Sequence, residues 1–278
     1  MNPELSVILP CYRSALLASA SVARLDAFLR EAGLSAEIIV VDDGGGDFPA
    51  EPWDPAIARL IRLPRNRGKG AAVSAGMRAA RGRVRVFTDV DLPYDLELLP
   101  VIVGYIREQG FHVVIGDRTL PDSAYLTDLS LPRRIASSLF SQFVGRVVTG
   151  GFFDTQCGLK GMRDDVANEL FALQRLDRFS FDVELVYLAL KHKLDIKRIP
   201  VQLRNNQTST IRLVRDAPQG FLDVFRIKWH QLRGDYRSVV LEEMVRHDYQ
   251  RVVESTRAHA RAVPGSATSD RARAGGAR

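Results

Sequence analysis

Short apolar runs alternate with longer stretches of helical spacing along the first part of the chain. Leu5 to Leu9 is one such run, closed by Pro10. Glu37 to Val41 is a second, richer in β-branched residues and closed by Asp42-Asp43-Gly44-Gly45-Gly46. Runs of this length bounded by turn residues predict buried strands. Between them, Val22, Leu25, Phe28 and Leu29 recur at three and four within Ser19 to Ala32, so the opening is a βαβ unit and its sheet is parallel. Leu60 to Leu63 predicts another strand, and Gly70 to Ala80 an alanine-rich helix entered through Arg67-Gly68-Lys69-Gly70. Val84 to Thr88 predicts a strand ending at Asp89-Val90-Asp91. Leu96 to Gln109 then reads as helix, and Val113 to Ile115 as a strand running into Gly116-Asp117-Arg118.

The second half is more helical. Pro132 to Val148 places Ile135, Leu139, Phe140, Phe143, Val144 and Val147 on one face, with Arg133, Arg134 and Arg146 nearby. Phe181 to His192 predicts a further helix and Ile196 to Leu203 a strand. Gly220 to Leu232 carries Phe221, Leu222, Phe225, Trp229 and Leu232 beside Arg226, Lys228 and Arg233. From about Ala262 the chain is small, polar and Arg-rich, which predicts a disordered tail. No internal repeat is present. The expected organisation is one α/β domain over residues 1–237, a helical extension over 238–261 and a tail over 262–278.

With 278 residues, 46% of them hydrophobic and 26% charged, the chain has the length for one large α/β domain. Its two cysteines, Cys11 and Cys157, lie in different motifs, which argues against a disulfide framework and for a reducing compartment. The N-terminus enters a strand without a basic segment and long apolar core, so a cytoplasmic location is expected. No stretch approaches the roughly 18 to 20 apolar residues of a spanning helix. Membrane contact, if made, is expected to be peripheral, at the inner face. A net charge of +6 favours anionic partners. Aromatics are not interleaved with the basic residues as stacking platforms for bases require, so no nucleic-acid partner is expected.

Chemistry concentrates at the predicted strand ends. In Asp89-Val90-Asp91 two carboxylates at i and i+2 can share a hard divalent cation, Mg²⁺ or Mn²⁺, and an adjacent ribose. The same pattern also occurs in solvated turns after strands. Pro10-Cys11-Tyr12 and Asp42-Asp43-Gly44 fall at the carboxyl ends of strands, where open α/β sheets bind ligands. The ring and the acids there are either a cradle for a nucleobase or an edge aromatic and a turn. Asn66-Arg67-Gly68-Lys69-Gly70 opens a helix, so its N–H groups and cations suit phosphate or sugar hydroxyls.

In this order, the first strand, the Asp-Asp-Gly turn, the Asn-x-Gly-Lys-Gly segment and the Asp-x-Asp resemble the family 2 glycosyltransferases. Gly116-Asp117-Arg118 is similar to that family's Gly-Ser-Arg. Asp154-Thr155-Gln156-Cys157-Gly158-Leu159-Lys160 and Phe179-Ser180-Phe181-Asp182-Val183-Glu184-Leu185 look like blocks of the dolichyl-phosphate glucosyltransferases and their bacterial relatives. The resemblance covers about Leu5 to Arg237. It implies a GT-A fold, that is, a mostly parallel, Rossmann-like sheet flanked by helices, with C-terminal amphipathic helices.

It also implies a metal-dependent inverting transfer of a hexose from a nucleoside-diphosphate sugar, UDP-glucose by the Asp-Thr-Gln-Cys-Gly block, to a polyprenyl phosphate at a membrane surface. GDP-mannose as donor, or a non-lipid acceptor in polysaccharide or glycoconjugate synthesis, stays open as the alternative. Carried over residue by residue, Asp89 faces ribose and metal, Asp91 is the principal metal ligand and Arg118 holds a donor phosphate. Pro10, Tyr12, Arg13, Asp42, Asp43 and Lys69 complete the nucleotide-sugar site, with Pro10, Tyr12 and Asp42 bordering the base. Asp154 and Gln156 face the sugar or the acceptor phosphate. Asp182 and Glu184 line or brace the acceptor side, Asp182 either in catalysis or toward Arg178 or Lys160. Arg133, Arg134 and Arg212 are candidates for the acceptor phosphate, or solvated surface arginines.

The chain departs from the family pattern in three places. Arg13 stands where an acid is usual, Pro93 stands where some mannosyl relatives have another metal-side residue, and Gln207-Thr208-Ser209-Thr210 lacks the usual Ser-Lys.

Overall fold

Strand β1 (Leu5–Cys11) is buried along its whole length because a parallel neighbour pairs with each of its edges: β2 (Ala36–Asp42) on one side and β4 (Val84–Phe87) on the other. This computed structural model describes residues 2–125, 141–151, 154–203 and 213–262. Arg133, Arg134, Arg212, the 207–210 segment and the tail beyond 262 lie outside them.

The main sheet has seven strands in the order β3-β2-β1-β4-β7-β5-β8. Its other members are β3 (Ala58–Arg62), β5 (Val113–Asp117), β7 (Lys160–Arg163) and β8 (Ile196–Pro200). All neighbours run parallel except at β7, which lies antiparallel between β4 and β5. β6 (Ala124–Tyr125) and β9 (Gln202–Leu203) form a separate two-stranded ribbon. The helices are α1 (Ala15–Glu31), α2 (Lys69–Ala79), α3 (Leu98–Arg107), α4 (helical over 141–147), α5 (Asp164–Leu173), α6 (Phe181–Lys191), α7 (Leu213–Arg233) and α8 (Val239–Ala262).

Alternation along the strands sorts the helices into two layers. Leu5, Val7 and Leu9 point to the face where α1 brings Val22, Leu25 and Leu29 and α3 brings Leu99, Ile102 and Ile106. Ile8 and Val41 point the other way, where Gly76 of α2 comes so close that a Cβ on it would stand 2.5 Å from Ile8 Cγ2. Phe87 meets Phe181 of α6 on that same side, ring centroids 5.7 Å apart. The core is therefore two apolar layers on either side of the sheet, as a doubly covered parallel sheet requires.

Two points differ from the pattern reading. β7 and α5 were not foreseen from the pattern. The single strand expected over Ile196 to Leu203 divides at Val201, whose N–H is taken by Ser123 Oγ (3.0 Å) and whose carbonyl accepts from Ala124 N (3.2 Å). The helix expected over Pro132 to Val148 is described only from residue 141, where Val144 is buried and Val147 exposed.

The chain divides into one unit ending at Ser238 and a second beginning at Val239, which contains α8. Among the described residues no helix is long and apolar enough to cross a membrane.

Candidate active site

Because β1, β2, β4 and β5 are parallel, their carboxyl ends share one edge, and the antiparallel β7 delivers its amino-terminal approach to that same edge. Phe87 at the end of β4 and Ile115 near the end of β5 are both in register with Lys160, the first residue of β7. The Asp154–Leu159 segment therefore enters between the Asp89 turn and Arg118. Three motifs that are distant in sequence meet there for a topological reason.

Asp89 is the hub. Its Oδ1 lies 2.6 Å from Lys69 Nζ, and its Oδ2 stands where a Cβ on Gly158 would have to go. Burial opposes charge on Lys69, but Asp89 and Asp182 outweigh it and hold the ammonium above its ordinary value. The turn after Asp89 closes through Leu92 N to Asp89 O (3.0 Å), with Leu92 in the left-handed region at φ 45°. A buried leucine there costs on the order of 1–2 kcal/mol and is held by its surroundings. Asp91 is half-buried within this turn. Tyr94, four residues before Leu98 of α3, is buried beneath it and accepts the Gly158 N–H at 3.2 Å. Burial raises its phenol well above the ordinary value. Tyr94 was missed in the sequence, where Pro93-Tyr94 after the Asp-x-Asp was the available signal.

Arg118 and Asp154 form a bidentate pair: Nε to Oδ2 at 3.0 Å and Nη2 to Oδ1 at 2.7 Å, with the Arg118 N–H adding a third bond at 2.6 Å. Asp154 is 4% exposed. Burial would raise its carboxyl, but the Arg118 hydrogen bonds and charge prevail and lower it. Arg118 in turn stays protonated well above its ordinary value despite desolvation. Gln156 is half-buried in the same segment.

Asp182, in the first turn of α6, pairs at 2.5 Å with Lys160, whose Nζ also donates to Cys157 O at 2.7 Å. Both side chains are buried, so of the two roles expected for Asp182 the geometry displays the brace toward Lys160. Glu184, two residues on in the same first turn, accepts from Arg175 N (2.8 Å), Leu176 N (2.9 Å) and Tyr236 Oη (2.5 Å). Burial raises Glu184 against these bonds.

Asp42 and Asp43 shape loops. Asp42 accepts from Gly45 N (2.7 Å) and Gly46 N (3.2 Å), and Asp43 from Arg67 N (2.8 Å) and Gly68 N (2.7 Å). Desolvation raises Asp43 in spite of those donors. At the helix start that suited phosphate one N–H is already taken: Ala71 N donates to Asp177 O at 2.9 Å. Gly68 and Gly70 are glycines because that chain lies on them, a Cβ on either falling 2.7 Å from Asp177 O or Phe181 Cβ. Asp177, also paired with Arg67 at 2.9 Å, was not foreseen. At the sheet edge α2 also offers the Lys69 side chain, directed at Asp89.

Pro10 and Cys11 are buried at the end of β1, and burial pushes the Cys11 thiol up to about 12. Tyr12 is 42% exposed, with the Arg13 guanidinium 5.2 Å from its ring centre and Arg13 at φ 51°. Asp89 (side chain 36% exposed), paired with Lys69, and Asp91, two residues on in the same turn, provide hard oxygen donors. This set fits Mg²⁺ or Mn²⁺ held by two carboxylates and completed by substrate phosphates and water. No group of three His, Cys, Asp or Glu suited to a metal occurs among the described residues.

Comparison with known proteins gives one answer. The family model described as "Glycosyl transferase family 2" matches residues 6–171. The chain is 31% identical over 252 residues to a dolichyl-phosphate beta-glucosyltransferase of Dictyostelium discoideum, covering 85% of this chain and 77% of the relative. It is 30% identical over 260 residues to the Drosophila melanogaster protein of the same description, covering 86% and 79%. Glucosyl-3-phosphoglycerate synthase from Mycobacterium tuberculosis, solved with Mn²⁺, UDP-glucose and phosphoglyceric acid, superposes with a TM-score of 0.58 at 18% identity, over 80% of this chain and 79% of that one. The last likeness carries the fold, GT-A, and no more.

Proposed function

The chain belongs to glycosyl transferase family 2 and is a nucleotide-sugar-dependent glycosyltransferase, and on that footing we propose that it moves glucose from UDP-glucose onto a polyprenyl phosphate of the dolichyl kind. The reading places residues 1–237 as the catalytic domain, working at the inner face of a membrane. The observation that carries it is the meeting of Lys69, Asp89 and Gly158, contributed by three motifs and packed at contact distance. The curated relatives named above, dolichyl-phosphate beta-glucosyltransferases by description, support the acceptor.

In this reading Asp91 and Asp89 hold Mg²⁺ or Mn²⁺, which when bound would neutralise the diphosphate leaving group. Lys69 fixes one oxygen of Asp89 and sets its direction. Asp154 engages Nε and Nη2 of Arg118, so a donor phosphate would meet Nη1 of a guanidinium already locked in place. Pro10 and Tyr12 border the base at the end of β1, on a floor kept in shape by Asp42 and Asp43. Gln156 faces the sugar or the acceptor phosphate. Arg133, Arg134 and Arg212 are the proposed cations for the acceptor.

A phosphate monoester has its second ionisation near pH 6, so its oxygen is already anionic at neutral pH. That oxygen attacks the anomeric carbon, the bond from that carbon to the diphosphate oxygen breaks, and UDP leaves with the electron pair. No general base is needed, and attack opposite the leaving group inverts the anomeric centre. What the residues supply is position and charge.

The test is release of UDP or GDP from a panel of sugar nucleotides with Mn²⁺ or Mg²⁺, with and without a short polyprenyl phosphate. Consumption of UDP-glucose only when the lipid phosphate is present, lost in Asp91→Asn with the circular dichroism unchanged, supports the reading. Turnover with GDP-mannose, or with soluble acceptors alone, overturns the donor or the acceptor respectively.

A further inference from the structure

Helix α7 has two separate apolar faces. Val224 and Ile227 are 1% and 0% exposed and pack into the protein. Phe221, Leu222, Phe225, Trp229 and Leu232 form another face, within about 100° of the helix circumference at 3.6 residues per turn. The centre of this second face lies roughly 140° from the buried pair. Phe225, Trp229 and Leu232 are 62%, 59% and 83% exposed. Phe221, at one edge, meets the Phe143 ring of α4 with centroids 4.9 Å apart, so the patch continues onto a second helix.

One packing face accounts for an amphipathic helix on a sheet; a second, wet apolar face does not follow from that packing. The charges flanking it indicate what covers it. Lys228, whose ammonium lies 5.5 Å from the Tyr187 ring centre, borders the stripe on one side, and Arg233 and Arg226, paired with Asp235 at 3.7 Å and Asp223 at 2.9 Å, border it on the other, each within about 40° of its edge. Asp223, the carboxylate beside Arg226, is turned inward and is 3% exposed. Residues 219–238 hold four Lys or Arg (226, 228, 233, 237) against two Asp (223, 235), a net +2 in a chain of net +6. A row of Phe, Trp and Leu bordered on both sides by cations matches the boundary between acyl chains and anionic headgroups.

We propose that the outer face of α7 is the surface by which this protein docks on an anionic lipid bilayer, with Phe225, Trp229 and Leu232 entering the acyl boundary and Lys228 and Arg233 meeting the headgroups. The proposal deepens the lipid-phosphate reading above and rests on it for its purpose, but not for its test.

The test is flotation of the whole chain with phosphatidylcholine vesicles, and with vesicles in which part of the lipid is phosphatidylglycerol. The protein floats with the anionic vesicles, and raising the salt releases it. Phe225→Ser/Trp229→Ser/Leu232→Ser weakens binding at least about tenfold, since each buried side chain of this size contributes more than a tenfold factor. Lys228→Gln/Arg233→Gln weakens only the anionic component. Both variants keep the wild-type circular dichroism and turn over a water-soluble, short-chain acceptor at the wild-type rate. Failure to float, or flotation unchanged in the triple variant, overturns the proposal. A dimer in sedimentation that the triple variant abolishes, without vesicle binding, assigns the face to a second copy instead. Flotation that persists in a protein with no activity on any lipid phosphate removes the acceptor reading and leaves the docking surface standing.

Discussion

Gly158 has no room for a side chain because the Asp89 carboxylate stands in the place a Cβ would occupy. The contact joins the turn after β4 to the segment before β7 and fixes the second oxygen of a carboxylate whose first is held by Lys69. Gly158→Ala therefore acts on Asp89 while leaving the rest of the sheet edge intact. Turnover should drop by about a hundredfold or more, since misplacement on the order of 1 Å at a reacting centre costs that much. The melting temperature should move by only a few degrees. Wild-type turnover in this variant would detach Asp89 from the chemistry.

Lys160 and Asp182 are a buried ion pair inside the fold, and removing one partner leaves the other charged in a dry place. Asp182→Asn should destabilise by about 3–5 kcal/mol, read from urea unfolding. Replacing both, as Lys160→Met/Asp182→Leu, should cost clearly less than Asp182→Asn alone, because neither charge is stranded. If instead Asp182→Asn unfolds like the parent and loses only turnover, Asp182 belongs to the chemistry and the brace is incidental.

The acid limb of stability should carry the signature of Asp154. Its carboxyl is lowered on folding, so the native state gives up its proton more readily than the unfolded chain. The stabilisation is fully present above the ordinary carboxylate range and is lost as pH falls through the lower folded value. Asp154→Asn should be less stable at neutral pH, with a shallower decline below about pH 4. Parallel acid limbs in parent and variant would remove Asp154 from the linkage. Glu184 works in the opposite sense: raised on folding, it costs stability as pH climbs from its ordinary value through the folded one.

The parallel strands were legible because a strand covered on both faces is mostly apolar, as Ile38 to Val41 is throughout and Leu5 to Leu9 is except at Ser6. The candidate residues at strand ends could be picked out for the same reason, since the run marks its own carboxyl end. β7 was not, because Lys160-Gly161-Met162-Arg163 has no apolar run; it is buried through an ion pair that lies 22 residues away and through a glycine that lets Ile102 close on the sheet. α5 did carry a signal, with Val166, Ala167, Leu170 and Phe171 at helical spacing behind Asp164-Asp165. The bond from Ala71 N to Asp177 O at the α2 start had none, being a contact between backbones that side-chain patterns do not record.

Lys69 bears on how the proposed metal site is loaded. Its ammonium is 2.6 Å from Asp89 Oδ1, its side chain is only 15% exposed, and its neighbours keep it charged against desolvation. A fixed positive charge at that distance repels an incoming dication while it steadies the carboxylate the dication would share. The two effects separate in a neutral variant. In Lys69→Met, Asp89 has no ammonium to satisfy, so half-activation should come at a lower Mn²⁺ concentration, while kcat at saturating Mn²⁺ falls about tenfold or more because the carboxylate is less well aimed. Lys69→Arg keeps the charge and should leave the Mn²⁺ requirement near the parent's. The measurement is a Mn²⁺ titration of UDP release at saturating donor, after exhaustive chelation has removed all turnover. A Mn²⁺ requirement that rises in Lys69→Met would mean the ammonium holds the donor's phosphates and not the carboxylate. Turnover that survives chelation in the parent would mean that Asp89 and Asp91 work without a metal, with Lys69 and Arg118 as the cations that face the leaving diphosphate.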